Sequence, residues 1–189
     1  MEFYEVVGSR HSVREYRSGA VSREILERII DSATHAPSAE NEQPCRFYVT
    51  SGSVRAELGK VIAQTTVYLA EYIDVLGPDH YERAVHWFSS FGDAPVLLAI
   101  AVPKSATELQ ATNRAISVGT ALENLLLAAT AEGLGACPFT FSHWVKDEMA
   151  ELLGVPEGHE ILMVVAVGWP ADIPAVAPSK RDDVSVWLD

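Results

Sequence analysis

Two stretches of this chain are apolar at nearly every position: Pro95-Val96-Leu97-Leu98-Ala99-Ile100-Ala101-Val102, and Ile161 to Trp169. A strand with one face in water alternates apolar and polar residues, so unbroken runs of this kind mark strands buried on both faces of a sheet. Such strands need helices over each face. The segment 22–35 supplies one, with Ile25, Leu26, Ile29, Ile30 and Ala33 on a single stripe, Ser22 placed to cap it and Pro37 to stop it. A helix over 109–132 separates the two runs. Its part from Ala115 to Ala131 is apolar almost all round, which puts it in the core or at a subunit interface.

Shorter elements fill in the rest. The pattern predicts helices over 2–8, 53–64 (extending toward residue 75), 79–90 and 143–153, and strands over 46–50 and 134–139. Gly77-Pro78 breaks the chain, and Gly133 and Gly135 suit the end of the long helix. Two helices precede the first strand and two more follow it, so strict βαβ alternation is absent. The expectation is an α+β fold, a mixed central β-sheet flanked by helices, with all 189 residues (1–189) in a single domain.

The formal net charge of -12 repels nucleic acid and anionic membrane surfaces, so neither is an expected partner. The two cysteines, Cys45 and Cys137, are far apart, and the six histidines show no metal-binding spacing, so no metal is expected. Met1 to Glu5 does not resemble a signal peptide, and Glu123 and Asn124 interrupt the apolar part of the long helix, which is short for a bilayer span. A soluble, cytoplasmic protein is expected.

Against this acidic background, Arg10, Arg14 and Arg17 cluster near the N-terminus. They could be a solvated patch paired with Glu2, Glu5 and Glu15. The segment Ser9-Arg10-His11-Ser12-Val13-Arg14 also fits a phosphate site. Arg10 and Arg14 share a face in a helix, and share it with Ser12 in an extended chain, and guanidinium forks suit phosphate oxygens. Ser9 and His11 would add donors. A second segment, Ala36-Pro37-Ser38-Ala39-Glu40-Asn41-Glu42-Gln43-Pro44, brackets amide side chains between prolines, and Asn41 and Gln43 can read the uracil-like edge of a flavin. A turn leaving the helix explains Pro37 and Ser38 equally well. Lys180-Arg181 is either an exposed tail or the completion of a phosphate clamp. Templates for a Rossmann site, a P-loop and a serine-hydrolase elbow are all absent.

In this order, the segments resemble the FMN-dependent nitroreductase family along nearly the whole chain. Arg10 to Arg14 is similar to its R-x-S-x-R/K motif, and Ala36 to Pro44 to its A-P-S-x-x-N-x-Q-P loop. Asp93-Ala94-Pro95-Val96, Leu125 to Gly135, Gly154 to Gly158 and Val167-Gly168-Trp169-Pro170 resemble later family segments. The resemblance implies an intertwined homodimer with FMN sites at the interface. It implies that Arg10, His11, Ser12 and Arg14 of one subunit hold the phosphate, the ribityl chain and the N1/O2 side of the flavin. It further implies that Pro37, Ser38, Ala39 and Asn41 come from the other subunit, that Pro138, Phe139 and Thr140 run past N5 and O4, and that Lys180 and Arg181 return to the phosphate. Three positions depart from the family: Cys45 stands where tryptophan is frequent, residues 138–141 lack a glycine so that Phe139 or Phe141 can crowd the site, and Lys180 and Arg181 are adjacent rather than spaced.

The implied activity is FMN-dependent transfer of reducing equivalents from NAD(P)H to nitroaromatic, quinone or related acceptors by a ping-pong mechanism, with no side chain needed as acid or base. The alternatives are a flavoenzyme of the same fold with other chemistry (dehalogenation, flavin cleavage, enoate reduction) and a non-catalytic flavin-binding dimer.

Overall fold

The two apolar runs form the centre of the sheet. In the computed structural model of the chain, which describes residues 2–69, 71, 77–171 and 181–188, β1 is Arg46–Ser51, β2 Val96–Pro103, β3 Gly135–Phe139 and β4 His159–Gly168. Their order is β1-β2-β4-β3, and each neighbouring pair is antiparallel. Parallel pairing enters at the isolated bridge between Ser12 and Ala136.

Alternation along β2 sorts its side chains onto two cores. Leu97, Ala99 and Ala101 pack with Leu58, Ile62, Phe88, Phe91 and Met149. Those partners come from α3 (Gly52–Ala63), α5 (Pro78–Ser90), α7 (Lys146–Leu153) and the 3-10 turn Phe91–Asp93. Val96, Leu98, Ile100 and Val102 pack with Ile29, Ala33, Leu125 and Ala129, from α2 (Arg23–Thr34) and α6 (Glu108–Ala131). A register shift between Ile100 and Ala101 lets β4 serve both cores despite its length: Ile161, Val164 and Ala166 face the first, Val165 and Val167 the second.

The remaining helices are α1 (Phe3–Ser9) and the short α4 (Thr66–Leu69). Ser22 Oγ accepts the Ile25 N–H at 3.4 Å and caps α2 as expected. Thr107 caps α6 in the same way through the Gln110 N–H at 3.2 Å. Gly77-Pro78 does more than break the chain, because Pro78 opens α5 in the first-turn position that tolerates its missing N–H. The helix expected over 143–153 starts as a 3-10 turn, Phe141–Val145, before α7. The expected extension of the 53–64 helix toward residue 75 falls partly on residues 70 and 72–76, outside the described residues. No described helix is long and apolar enough to cross a membrane.

Candidate active site

Residues 12–17 form an arm leaving α1, and the fold grips its backbone from several sides. Val13 N–H donates to the Ala136 carbonyl at 3.1 Å, Tyr16 N–H to Gly92 at 2.9 Å and Arg17 N–H to Trp169 at 2.9 Å. The Trp87 indole donates to the Arg14 carbonyl at 3.0 Å. The buried Tyr16 hydroxyl lies 2.7 Å from the Val13 carbonyl and 3.1 Å from that of Ala166. Burial pushes this phenol far above its ordinary pKa, with Cys137 adding to the shift and Arg14 opposing it, so it stays a donor.

Two glycines make room for the arm. A Cβ on Gly135 would sit 2.6 Å from the Val13 side chain. A Cβ on Gly92, whose φ is +58, would fall on the Arg14 carbonyl, 2.7 Å from its carbon. Gly135, expected to help end the long helix, instead begins β3 and admits Val13, while Gly133 takes the left-handed turn at φ 77. Nothing in the local sequence marks Gly92 or Gly135 for this role, because the neighbour each must admit is far away in the chain.

The arm lays Ser12 beside the start of β3. Arg10 approaches Glu123 of α6, Nε to Oε1 3.4 Å, with 30% of its side chain exposed. His11 Nδ1 lies 2.8 Å from the Ser9 carbonyl. A carbonyl only accepts, so Nδ1 donates to it. Nε2 is buried and has no hydrogen-bond partner among the described residues, a status it shares with Thr65 Oγ1 and His159 Nδ1. Arg14 is exposed and lines a cleft of about 540 Å³ with Trp87, Cys137, Pro138 and Phe139. The thiol of Cys137 is held neutral by burial, which raises its pKa against the opposing pull of Arg14.

Phe139 is 8% exposed and packs its ring 5.2 Å from Trp87 and 5.5 Å from Phe91. Its side chain is therefore core, and the more open Phe141 is the ring that can crowd the cleft. Thr140 is exposed just past β3. Arg55, not singled out by the sequence, braces the turn beneath the arm by donating to the carbonyls of Ala94 (2.8 Å) and Ser90 (2.7 Å) and stacking on Phe91.

The second expected group lies elsewhere in the chain. Pro37 is fixed by a hydrogen bond from Thr120 of α6 to its carbonyl, 3.0 Å. Beyond it, Glu40, Asn41 and Gln43 all have positive φ, 54, 56 and 48, a strained run for non-glycine residues. Ser38 Oγ accepts the Gln43 N–H, and Gln43 Nε2 donates to Asn41 Oδ1, each at 3.0 Å. Arg114 anchors the outside of the loop through Glu42, Nη2 to Oε1 2.6 Å, and through the carbonyls of Pro103 and Lys104. This pairing holds the Glu42 carboxyl below its ordinary range. The sequence reading missed Arg114, whose carboxylate partner Glu42 lies far off along the chain.

Pro37 and Ser38 line a cavity of about 110 Å³ with Cys45 and Phe47, distinct from the arm's cleft. Helix α6 touches both groups, facing Arg10 with Glu123 and Pro37 with Thr120. The structure thus brings Arg14 together with Pro138 and Phe139, and Ser12 with the start of β3, but it does not bring the 37–41 loop to them. Arg181 is exposed and pairs with Asp183 at 2.8 Å rather than with the arm. Lys180 lies outside the described residues. Arg10 and Arg14 on one arm, a buried ring nitrogen without a partner among the described residues and an aromatic-walled cleft suit the phosphate, hydroxyl chain and ring of FMN.

Residues 7–169 match the nitroreductase family. Among curated relatives, the iodotyrosine deiodinase of Haliscomenobacter hydrossis is 27% identical, covering 96% of this chain and 85% of that protein. The 4-nitrobenzoate reductase of Pseudomonas putida is 26% identical, covering 95% and 90%. Among solved structures, the FMN-dependent nitroreductase NfnB from Mycobacterium smegmatis in complex with NADPH superposes with a TM-score of 0.78 at 21% identity, covering 98% of this chain and 97% of that one. With the family pattern spanning most of its length and the fold agreeing, this chain belongs to the nitroreductase family.

Proposed function

We propose that the protein is an FMN-dependent oxidoreductase that takes reducing equivalents from NADH or NADPH and passes them, in ping-pong order, to nitroaromatic, quinone or related acceptors. The observation that carries this reading is the gripped arm. It sets Ser12 against Ala136 and Arg14 in the cleft with Pro138 and Phe139, and leaves His11 Nε2 buried without a partner among the described residues. FMN supplies the electron-transfer chemistry when bound. Arg10 and Arg14 hold its phosphate and its electron-rich ring edge, Ser12 and His11 take the hydroxyls of the ribityl chain, and the main chain at Pro138, Phe139 and Thr140 flanks the ring. Lys180 and Arg181 are the tail's candidates for the phosphate, Arg181 by exchanging its pairing with Asp183 for it.

The separation of the 37–41 loop from the arm supports a homodimer in which Pro37, Ser38, Ala39 and Asn41 complete the partner's site. Exposed apolar side chains on α1 and α6, among them Phe3, Tyr4 and Ile116, give such a dimer surface to bury. The deiodinase relative favours one second reading, reductive dehalogenation at the same site.

The test is the visible spectrum of purified protein, then anaerobic reduction by NADH and NADPH, then turnover of a nitroarene, a quinone and a halophenol. Yellow, dimeric protein that is bleached by a nicotinamide nucleotide and turns over the nitroarene or quinone is expected. Turnover of the halophenol alone selects the second reading. A colourless monomer that takes up no FMN refutes both.

A further inference from the structure

Helix α5 brings a cation to the cleft that the sequence motifs do not include. Arg83 lines the same cleft as Arg14, with Trp87, Phe88, Phe139 and Phe141 as aromatic wall. An adjoining groove shares Arg14, Arg83 and Trp87 and carries Glu15, Glu82 and His86. Neither Glu15 nor Glu82 takes either arginine as an ion-pair partner, and neither arginine pairs with any acid among the described residues. Five arginines of this acidic chain take carboxylates, namely Arg10, Arg23, Arg28, Arg114 and Arg181, while Arg17 lies over Trp169 and Arg55 donates to the Ala94 and Ser90 carbonyls. Two unpaired guanidiniums over an aromatic-walled cleft, in a chain of net charge -12, form a local site for a flat ring that bears an anion.

We infer that Arg83 selects acceptors that carry a carboxylate on an aromatic ring, the ring lying against Trp87 and Phe141 and the acid on the guanidinium. This rests on the flavin reading above, in which Arg14 belongs to the cofactor and leaves Arg83 for the acceptor. The selection acts on binding: the planar guanidinium fork takes both carboxylate oxygens at once, which a neutral amide of the same shape cannot match. The same cation could instead meet a phosphate of the nicotinamide nucleotide, and the experiment separates the two.

FMN-loaded protein is titrated with benzoate and with benzamide, which have equal size and flatness and cannot be reduced at this site, and binding is read by calorimetry and by perturbation of the flavin spectrum. Benzoate is expected to bind about tenfold more tightly than benzamide. In Arg83→Gln that preference falls to within about twofold, with benzamide affinity and FMN content unchanged. Arg83→Lys, which keeps the charge and loses the fork, recovers part of it. Equal binding of the two probes to the parent protein, or a preference that survives Arg83→Gln, overturns the inference. So does an Arg83→Gln protein that keeps its benzoate preference while its affinity for NADH or NADPH drops, since Arg83 then serves the nucleotide. Protein that takes up no FMN sinks the flavin reading itself, whereas loaded protein with no benzoate preference sinks only the role of Arg83.

Discussion

Replacing Gly92 with alanine tests whether the grip on the arm holds the cofactor site together. The new Cβ would sit 2.7 Å from the Arg14 carbonyl carbon and 3.1 Å from Glu15 Cα, against about 3.5–4.0 Å for relaxed carbon contacts. Backbone cannot swing aside like the tip of a side chain, so the arm must back away by roughly an ångström. That retreat breaks two bonds holding it, Trp87 Nε1 to the Arg14 carbonyl at 3.0 Å and Tyr16 N–H to the Gly92 carbonyl at 2.9 Å. Each is worth about 1 kcal/mol, and alanine at a φ of +58 adds about 1 kcal/mol of backbone strain. The total is about 3 kcal/mol. If the whole fold absorbs it, urea denaturation of the FMN-free protein shows the full loss. If the arm detaches instead, stability changes less and FMN affinity, read by quenching of flavin fluorescence, falls by up to about a hundredfold. Gly8→Ala is the control, since nothing lies within 4 Å of its added Cβ. A Gly92→Ala protein with stability within about 0.5 kcal/mol of the parent and FMN affinity within about twofold would refute the grip.

Further outcomes follow from the same geometry. Arg10→Ala should leave the fold intact and weaken FMN binding about tenfold or more, measured by equilibrium dialysis; full retention of flavin would place the phosphate elsewhere. Arg55→Lys should destabilise the protein by about 1–2 kcal/mol in urea, because an ammonium cannot span the Ala94 and Ser90 carbonyls as the guanidinium fork does. Glu42 is held below its ordinary range by Arg114, so its contribution is present at neutral pH, above the unfolded carboxyl's pKa, and disappears as pH falls through the lowered value. The stability gap between the parent and Glu42→Gln should therefore be open at neutral pH and close on acidification, a trend checked by thermal melts across pH.

Much of the fold was legible because it follows from local pattern. The strand runs, the Ser22 cap and the stripe of Ile25, Leu26, Ile29, Ile30 and Ala33 each encode their element within a dozen residues or so. The buried faces appear as expected, with β2 sorted residue by residue onto two cores. What escaped were residues defined by distant partners: Arg55 under the 90–94 turn, Arg114 on Glu42, and the indole of Trp87 on Arg14. Their contacts join segments dozens of residues apart, and no local periodicity reports them.

By itself, then, the sequence determined the elements, the antagonism between an acidic chain and its small cationic arm, and the family to which the pattern belongs. Tertiary structure alone decided that Gly92 and Gly135 clear a path for the arm, that His11 buries a ring nitrogen with no partner among the described residues, and that Arg83 shares a cleft with Arg14. The reason is physical. Hydrophobic periodicity acts between near neighbours along the chain, whereas close approach of backbone, orphaned polar atoms and the meeting of like charges exist only once packing has fixed distances between remote residues.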